Sequence, residues 1–303
     1  MSKITSIISC KGGVGKTTSA VNISSYIHTQ GKRVLAVDLD YQHNLSKHFG
    51  IFPGHLKDKP TVYDLFNAAM DDCSDDEMNE LVHNAIVKST TVDVLPATAK
   101  LSLLDKVLPT ATCREYILKG ILKHIKNEYD YIFIDCHPGC DLFAINALTV
   151  SDTVIIPVEA HPLGLEGLDE VEKLIGTVQR HLNPSLRVEG ILLTKFQNNT
   201  NCCRNIRDVV KESYGNRMHV FDEHIKYSIN IAEAPEFGLS IHEYAPRIEA
   251  AQSYAKIRFR LMRYQRIILI TTQKQKIFLF HKSRMLVSTP ILSLSMMRHT
   301  ERY

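Results

Sequence analysis

SCKGGVGKTT, residues 9–18, is the stretch that decides how this chain is read. Residues 4–9, ITSIIS, precede it as a short apolar strand. Gly12, Gly13 and Gly15 follow, with Val14 among them, and then Lys16, Thr17 and Thr18. Beyond lies SAVNISSYIHTQ (19–30), with helical spacing and Gly31 at its end. A strand, a glycine-rich loop and a helix in that order is the context of a phosphate-binding loop. Glycines let backbone N–H groups turn inward around phosphate oxygens with no Cβ in the way. The helix N-terminus adds partial positive charge. Lys16 is placed to reach the β- and γ-phosphates, and the Thr17 hydroxyl to ligate Mg²⁺. Such a loop needs one lysine. This one has two, and Lys11 has no role in a phosphate cradle alone.

The chain is 303 residues long, enough for one α/β domain of about 250 residues with a full core. Its 44% hydrophobic and 23% charged content is ordinary for a globular protein. No secretory leader is expected, because Lys11 interrupts the N-terminal apolar run. No apolar stretch approaches the roughly 18 residues of a membrane span. Seven cysteines, an odd number in no regular framework, predict a reducing compartment. The net charge of +3 conceals an asymmetry. Residues 256–303 carry 11 of the 36 Lys and Arg but only one acid, Glu301. The preceding 255 residues hold the other 25 basic and 32 acidic groups, a mildly acidic body.

Downstream, strand-like and helix-like segments alternate. KRVLAVDLD (32–40), VDVLPA (92–97), YDYIFIDCHPG (129–139), SDTVIIPVE (151–159) and VEGILLT (188–194) read as buried strands. TVYDLFNAAM (61–70), DEMNELVHNAIV (76–87), CREYILKGILKHIKN (113–127) and residues 165–182 have helical spacing. Continuous apolar strands between helices predict an α/β fold, a mostly parallel sheet with helices on both faces. Right-handed crossovers then bring every strand's C-terminal end to one edge, where ligands bind. Asp38, Asp40 and Asp135 all end strands. Asp135 fits a metal-holding role through water, Asp40 the orientation or activation of an attacking water, and Asp38 hydrogen bonding within its loop.

The segments KGGVGKTT (11–18), VLAVDLDYQHNLS (34–46), YDYIFIDCHPG (129–139), NALTVSDTVIIPVEAHPLGLEGL (146–168) and AEAPEFGLSIHEY (232–244) resemble the ParA/MinD family of deviant Walker A ATPases. The likeness is greatest to the short ParA-type partition ATPases. It covers residues 1–255, with its motifs in the family's order. It implies a P-loop NTPase fold with ATP and Mg²⁺ as ligands. By the same likeness Gly12, Gly13, Val14, Gly15, Lys16, Thr17 and Thr18 bind the phosphates, Thr17 and Asp135 serve the metal, and Asp40 is the hydrolytic aspartate. Lys195 and Lys226 are implied near the base. Lys11 is implied to reach across an ATP-sandwich homodimer to the partner's nucleotide. A cation supplied in trans stabilises developing phosphate charge much as an arginine finger does.

The implied function is DNA segregation in the cytoplasm, on the nucleoid. ATP closes a dimer, the dimer binds DNA non-specifically, and a ParB-like centromere-binding partner stimulates weak basal hydrolysis. A MinD-like ATPase on a membrane surface, positioning the division machinery, is the alternative; it needs a C-terminal amphipathic helix. No helix-turn-helix is expected ahead of the loop.

Several positions depart from the family's pattern. Tyr41-Gln42-His43 stands for Pro-Gln-Ala, Cys136-His137-Pro138 for Cys-Pro-Pro, and Lys226-Tyr227-Ser228 for Pro-Arg-Asn. Asn199 and Asn230 occupy two positions that often carry DNA-binding arginines. Arg204, Arg207, Lys211 and Arg217 lie nearby and could supply phosphate contacts, or could line a solvated helix. Cys136, His137 and Cys140 lack a second ligand pair, so no metal or cluster site is expected there. The tail, 256–303, sustains no amphipathic period and is expected to be poorly ordered. Three readings of it stand open: an anionic-surface or nucleic-acid contact, a partner-binding extension, or an altered reading frame at the gene's end.

Overall fold

A computed structural model describes residues 2–258 and 260–262. Six parallel strands form one sheet in the order β3-β2-β4-β1-β5-β6. They are β1 (Lys3–Ile7), β2 (Val34–Leu39), β3 (Asp93–Leu95), β4 (Tyr131–Cys136), β5 (Thr153–Glu159) and β6 (Arg187–Thr194). Every residue of β1, β2 and β4 is buried, as their unbroken apolar runs predict for strands covered on both faces.

Helix α1 (Lys16–His28) connects β1 to β2, and α2 (Asn44–His48), α3 (Val62–Met70) and α4 (Asp75–Ala85) lie between β2 and β3. Two short helices, α5 (Leu104–Val107) and α6 (Ile117–Leu122), lead to β4. Helix α7 (Leu142–Val150) joins β4 to β5, and α8 (Leu168–His181) joins β5 to β6. Beyond the sheet come α9 (Asn201–Tyr214), α10 (Ile229–Glu233) and α11 (Ile241–Tyr244), and residues 249–258 are helical. The step from β1 to β2 runs toward one sheet edge, and the steps from β4 to β5 and β5 to β6 run toward the other. Right-handed crossovers therefore put α1 on one face and α7 with α8 on the opposite one.

Buried polar groups pin helices to one another. The Asn22 side chain on α1 accepts from the Ile241 amide at 2.7 Å, fixing the start of α11. The Ser19 and Tyr254 hydroxyls meet at 3.3 Å and tie the 249–258 helix to α1. One expectation fails. The helix predicted over 113–127 survives only as α6. Cys113 stands at φ +51°, a left-handed conformation that an α-helix cannot contain, and Tyr116 is also off helical geometry. The expectations for the tail fall from residue 263 onward outside the described residues. Among the described residues no helix is long and apolar enough to cross a membrane.

Candidate active site

The loop after β1 is shaped by two glycines with positive φ, Gly13 at +73° and Gly15 at +87°. Any other residue at either position would be strained. Helix α1 begins directly at Lys16 and carries no acidic residue in its first turn. Its N-terminal charge is thus left for an anion. The sheet braces the loop from the far side. The Thr194 hydroxyl at the end of β6 donates to the Val14 carbonyl at 2.8 Å. The Lys16 ammonium is buried and donates to the Lys11 carbonyl at 3.0 Å. Burial lowers its pKa, while Asp135, Cys136 and Asp40 favour its charged form.

Register brings the acids together. Asp135 on β4 pairs with Ile7 of β1 on one side and with Asp38 of β2 on the other. Asp38 accepts from the Ser46 hydroxyl at 2.7 Å, the Ser46 amide at 2.9 Å and the Asp40 amide at 3.1 Å. It therefore organises the β2–α2 loop, the structural role expected of it. Its complete burial still pushes its pKa up to about 6 against those hydrogen bonds. Asp135 is different. Both its oxygens are buried, and neither has a hydrogen bond of ordinary geometry. Burial and the Asp38 charge raise its pKa well above the carboxylate range, and Thr17 and Lys16 only partly oppose them. A buried carboxylate that its neighbours only partly compensate is costly and calls for an explanation. A hydrated divalent cation beside Thr17 is the partner whose charge and donor water fit these oxygens. Asp40 is 5% exposed, and one of its oxygens accepts from the Gln42 amide at 2.8 Å.

A cleft of about 500 Å³ joins these parts. Gly13, Gly15, Lys16, Thr17 and Thr18 line it together with Asp40, Tyr41, Lys195, Lys226 and Tyr227. That volume suits a nucleotide-sized molecule. A larger cleft of about 740 Å³, over Pro53 and Lys57–Thr61, holds none of the predicted site residues. The smaller one is the candidate because the chemistry converges there. Lys195 and Lys226 reach it, each tied to an acid: Lys195 to Glu159 at 3.3 Å, and Lys226 to Glu249. Lys11, Gly12, Val14 and Asp135, also predicted for the site, are not among its lining residues. The Lys11 ammonium donates to the Leu163 carbonyl, in the turn between β5 and α8.

Sequence reasoning missed Thr194, Tyr227 and Tyr254, which all line the cleft. Thr194 ends the apolar run of β6, so its place at the sheet edge was readable; its hydrogen bond to the loop was not. His137, where the family pattern has proline, forms an ion pair with Asp141 at 2.6 Å. Burial alone would lower its pKa, but Asp141 holds it above the usual histidine range. The cysteine reading also changes. Cys10 and Cys140 are joined as a disulfide with Cα atoms 5.7 Å apart, where no pairing was expected. The four cations near α9 all have partners: Arg204 meets Asn198 and Asn201, Arg207 meets Asp208, Lys211 meets Asp222 and Arg217 meets Glu172. Asn199 is exposed, and Asn230 accepts a hydrogen bond from Ser228.

The buried acids give this site a pH signature. Unfolded, Asp38 titrates near 3.9; folded, near 6, so the native state holds that proton more tightly. Ionisation then costs stability, and the cost grows as pH rises from about 4 to 6. We expect Asp38 to contribute a fall of up to about 3 kcal/mol over that window in the nucleotide-free protein. Urea titrations from pH 4 to 7 measure it, and Asp38→Asn should flatten the slope.

The arrangement matches known proteins. Residues 2–188 fit the family model described as an AAA domain. The chain is 39% identical over 257 residues to the sporulation initiation inhibitor protein Soj of Bacillus subtilis, covering 84% of this chain and 96% of Soj. It is 33% identical over 261 residues to the chromosome partitioning protein ParA of Myxococcus xanthus, covering 86% and 88%. The chain belongs to the ParA/MinD family of P-loop ATPases. A crystal structure of cobyrinic acid a,c-diamide synthase from Mycobacterium smegmatis, with bound ADP and magnesium, superposes with a TM-score of 0.73. It is 26% identical and covers 88% of this chain and 96% of that one. ParA/MinD membership accounts for the parallel sheet, the doubled lysine and the acids gathered at one sheet edge.

Proposed function

We propose that this chain is an ATP-hydrolysing partition protein that dimerises on ATP and binds DNA in that state. The observation that carries the reading is the second lysine, in the same loop that brings Gly13, Gly15, Lys16 and Thr17 to a cleft shared with Asp40. The amides of residues 12–18 hold the substrate's phosphates, and Lys16 neutralises their charge. Magnesium, held by Thr17 and through water by Asp135, would neutralise the charge shared between the β- and γ-phosphates. Asp40 orients the attacking water and takes its proton. Tyr227 packs along the base end of the cleft.

Lys11 has no phosphate of its own to serve. To act it must leave the Leu163 carbonyl and reach a second copy. Exposed apolar side chains support such a contact: Leu163 is 53% exposed, Tyr227 59% and Ile229 64%. The DNA step rests on linkage, because ATP favours DNA binding only if the dimer binds DNA better than the monomer. Exposed ion pairs such as Lys211–Asp222 and Arg217–Glu172 are each worth about 0–1 kcal/mol, so exchanging the acid for a DNA phosphate costs little. A ParB-like partner stimulates hydrolysis in this scheme, and the protein works in the cytoplasm over the nucleoid.

Sedimentation velocity tests the dimer. Mg-ATP should drive association and ADP should not. Lys11→Ala should weaken the ATP dimer by about 30-fold or more, the effect of truncating a charged interfacial donor, while ATP affinity stays nearly unchanged. A Lys11→Ala dimer as tight as the wild type would overturn the role given to Lys11.

A further inference from the structure

Cys10 and Cys140 lie 130 residues apart in sequence, yet their Cα atoms are 5.7 Å apart. That is the ordinary spacing of a bridged pair. Cys73, Cys113, Cys136, Cys202 and Cys203 are all free. The pair occupies a corner between three site elements. Cys10 is the residue before Lys11. Cys140 lies in the loop between β4, which ends just past Asp135, and α7. A Cβ at Gly167, the residue capping α8, would meet the Cys10 Cβ at 3.1 Å. The Glu170 carboxylate is within 4.8 Å of both sulfurs. Cys140 is exposed and Cys10 half-buried, so a small reagent can reach the pair.

We propose that Cys10 and Cys140 are a reversible thiol–disulfide modification site, closed by a low-molecular-weight disulfide oxidant, and that closing it slows nucleotide turnover. The effect on turnover rests on the ATPase reading above; the modification itself does not. The exposed Cys140 thiolate attacks one sulfur of the oxidant RSSR and expels RS⁻. The Cys10 thiolate then attacks the Cys140 sulfur of the mixed disulfide and expels the second RS⁻. Two cysteines are oxidised by two electrons in all, RSSR is reduced to two RSH, and the two cysteine protons end on them. Exposed disulfides of this kind are the labile ones.

The bridge acts through the loops it joins. One carries Lys11 and the phosphate-binding glycines; the other follows the acid assigned to the metal. Pro138, in that second loop, lies 3.7 Å from where a Cβ on Gly12 would stand. Steps that close a site over its substrate need such loops to shift against each other. The covalent tie fixes their separation.

The test uses the full chain, equilibrated with either dithiothreitol or oxidised glutathione, alkylated and mapped by peptide mass. A Cys10–Cys140 link should appear in the oxidised sample and vanish on reduction, with the other five cysteines alkylated in both. ATP turnover should fall by at least about threefold in the linked form and recover with dithiothreitol. Cys140→Ser should match the reduced wild type in both buffers, and Cys113→Ser should still respond. Absence of the link under oxidised glutathione overturns the modification site. So does a zinc ion retained by the reduced protein and lost in Cys140→Ser, which would make the pair metal ligands. A link that forms while turnover stays constant overturns the control. A reduced protein without ATP turnover defeats the ATPase reading instead, and the peptide map still decides the site.

Discussion

Lys16→Ala should cost this protein nearly all its ATP turnover. Lys16 is 6% exposed, sits at the N-terminus of α1, and the charges of Asp135 and Asp40 favour its charged form. Its ammonium meets phosphate where water is excluded, so its charge is worth more there than at a surface. Losing one such stabilising group lowers kcat by about 10²–10³. Losing a charge-assisted hydrogen bond to phosphate weakens ATP binding by a further 1.5–3 kcal/mol, on the order of 10- to 150-fold. Titration with a fluorescent ATP analogue and a phosphate-release assay measure the two effects separately. The melting temperature should move little, because removing a desolvated ammonium offsets the loss of a counter-charge for Asp135. Unchanged ATP affinity would remove Lys16 from the phosphate site.

Asp40→Ala should separate binding from chemistry. The residue lines the cleft with the glycine loop, and Gln42 already holds one of its oxygens. If Asp40 orients water and accepts its proton, its loss lowers kcat by about 10²–10⁴ while ATP affinity changes little. The variant should therefore accumulate in the ATP state, with the slow step now hydrolysis. Turnover equal to the wild type would mean that Asp40 does not carry the chemistry.

Much of this site was legible in the sequence because it is local. The glycine loop, Lys16 and Thr17 are contiguous, and a strand before with a helix after fixes their geometry. Asp38, Asp40 and Asp135 each close an apolar run, so a parallel sheet had to bring them to one edge. That Asp135 would be left only partly compensated, while Asp38 gathers three hydrogen bonds, was beyond such reasoning. It depends on which loop residue folds back, and Ser46 folds back onto Asp38. Long-range pairings were equally hidden. Nothing in the spacing joins Cys10 to Cys140, Thr194 to Val14, or Lys226 to Glu249. The failed helix over 113–127 had suitable apolar spacing throughout. Periodicity reports which face is buried, and it does not report that Cys113 turns left-handed.

The central claim is that nucleotide state controls DNA binding through the ATPase fold. Its most direct test is binding to non-specific duplex DNA at one fixed low salt concentration, with ATP, ADP or no nucleotide, because phosphate-driven affinity falls steeply with salt. The full chain and a chain ending at Met262, which keeps the helix packed on α1, should both bind with ATP and release with ADP, and Lys11→Ala should abolish the ATP effect. Binding that ignores nucleotide and disappears with residues 263–303 would contradict the account, since the affinity would then be only the charge of the tail.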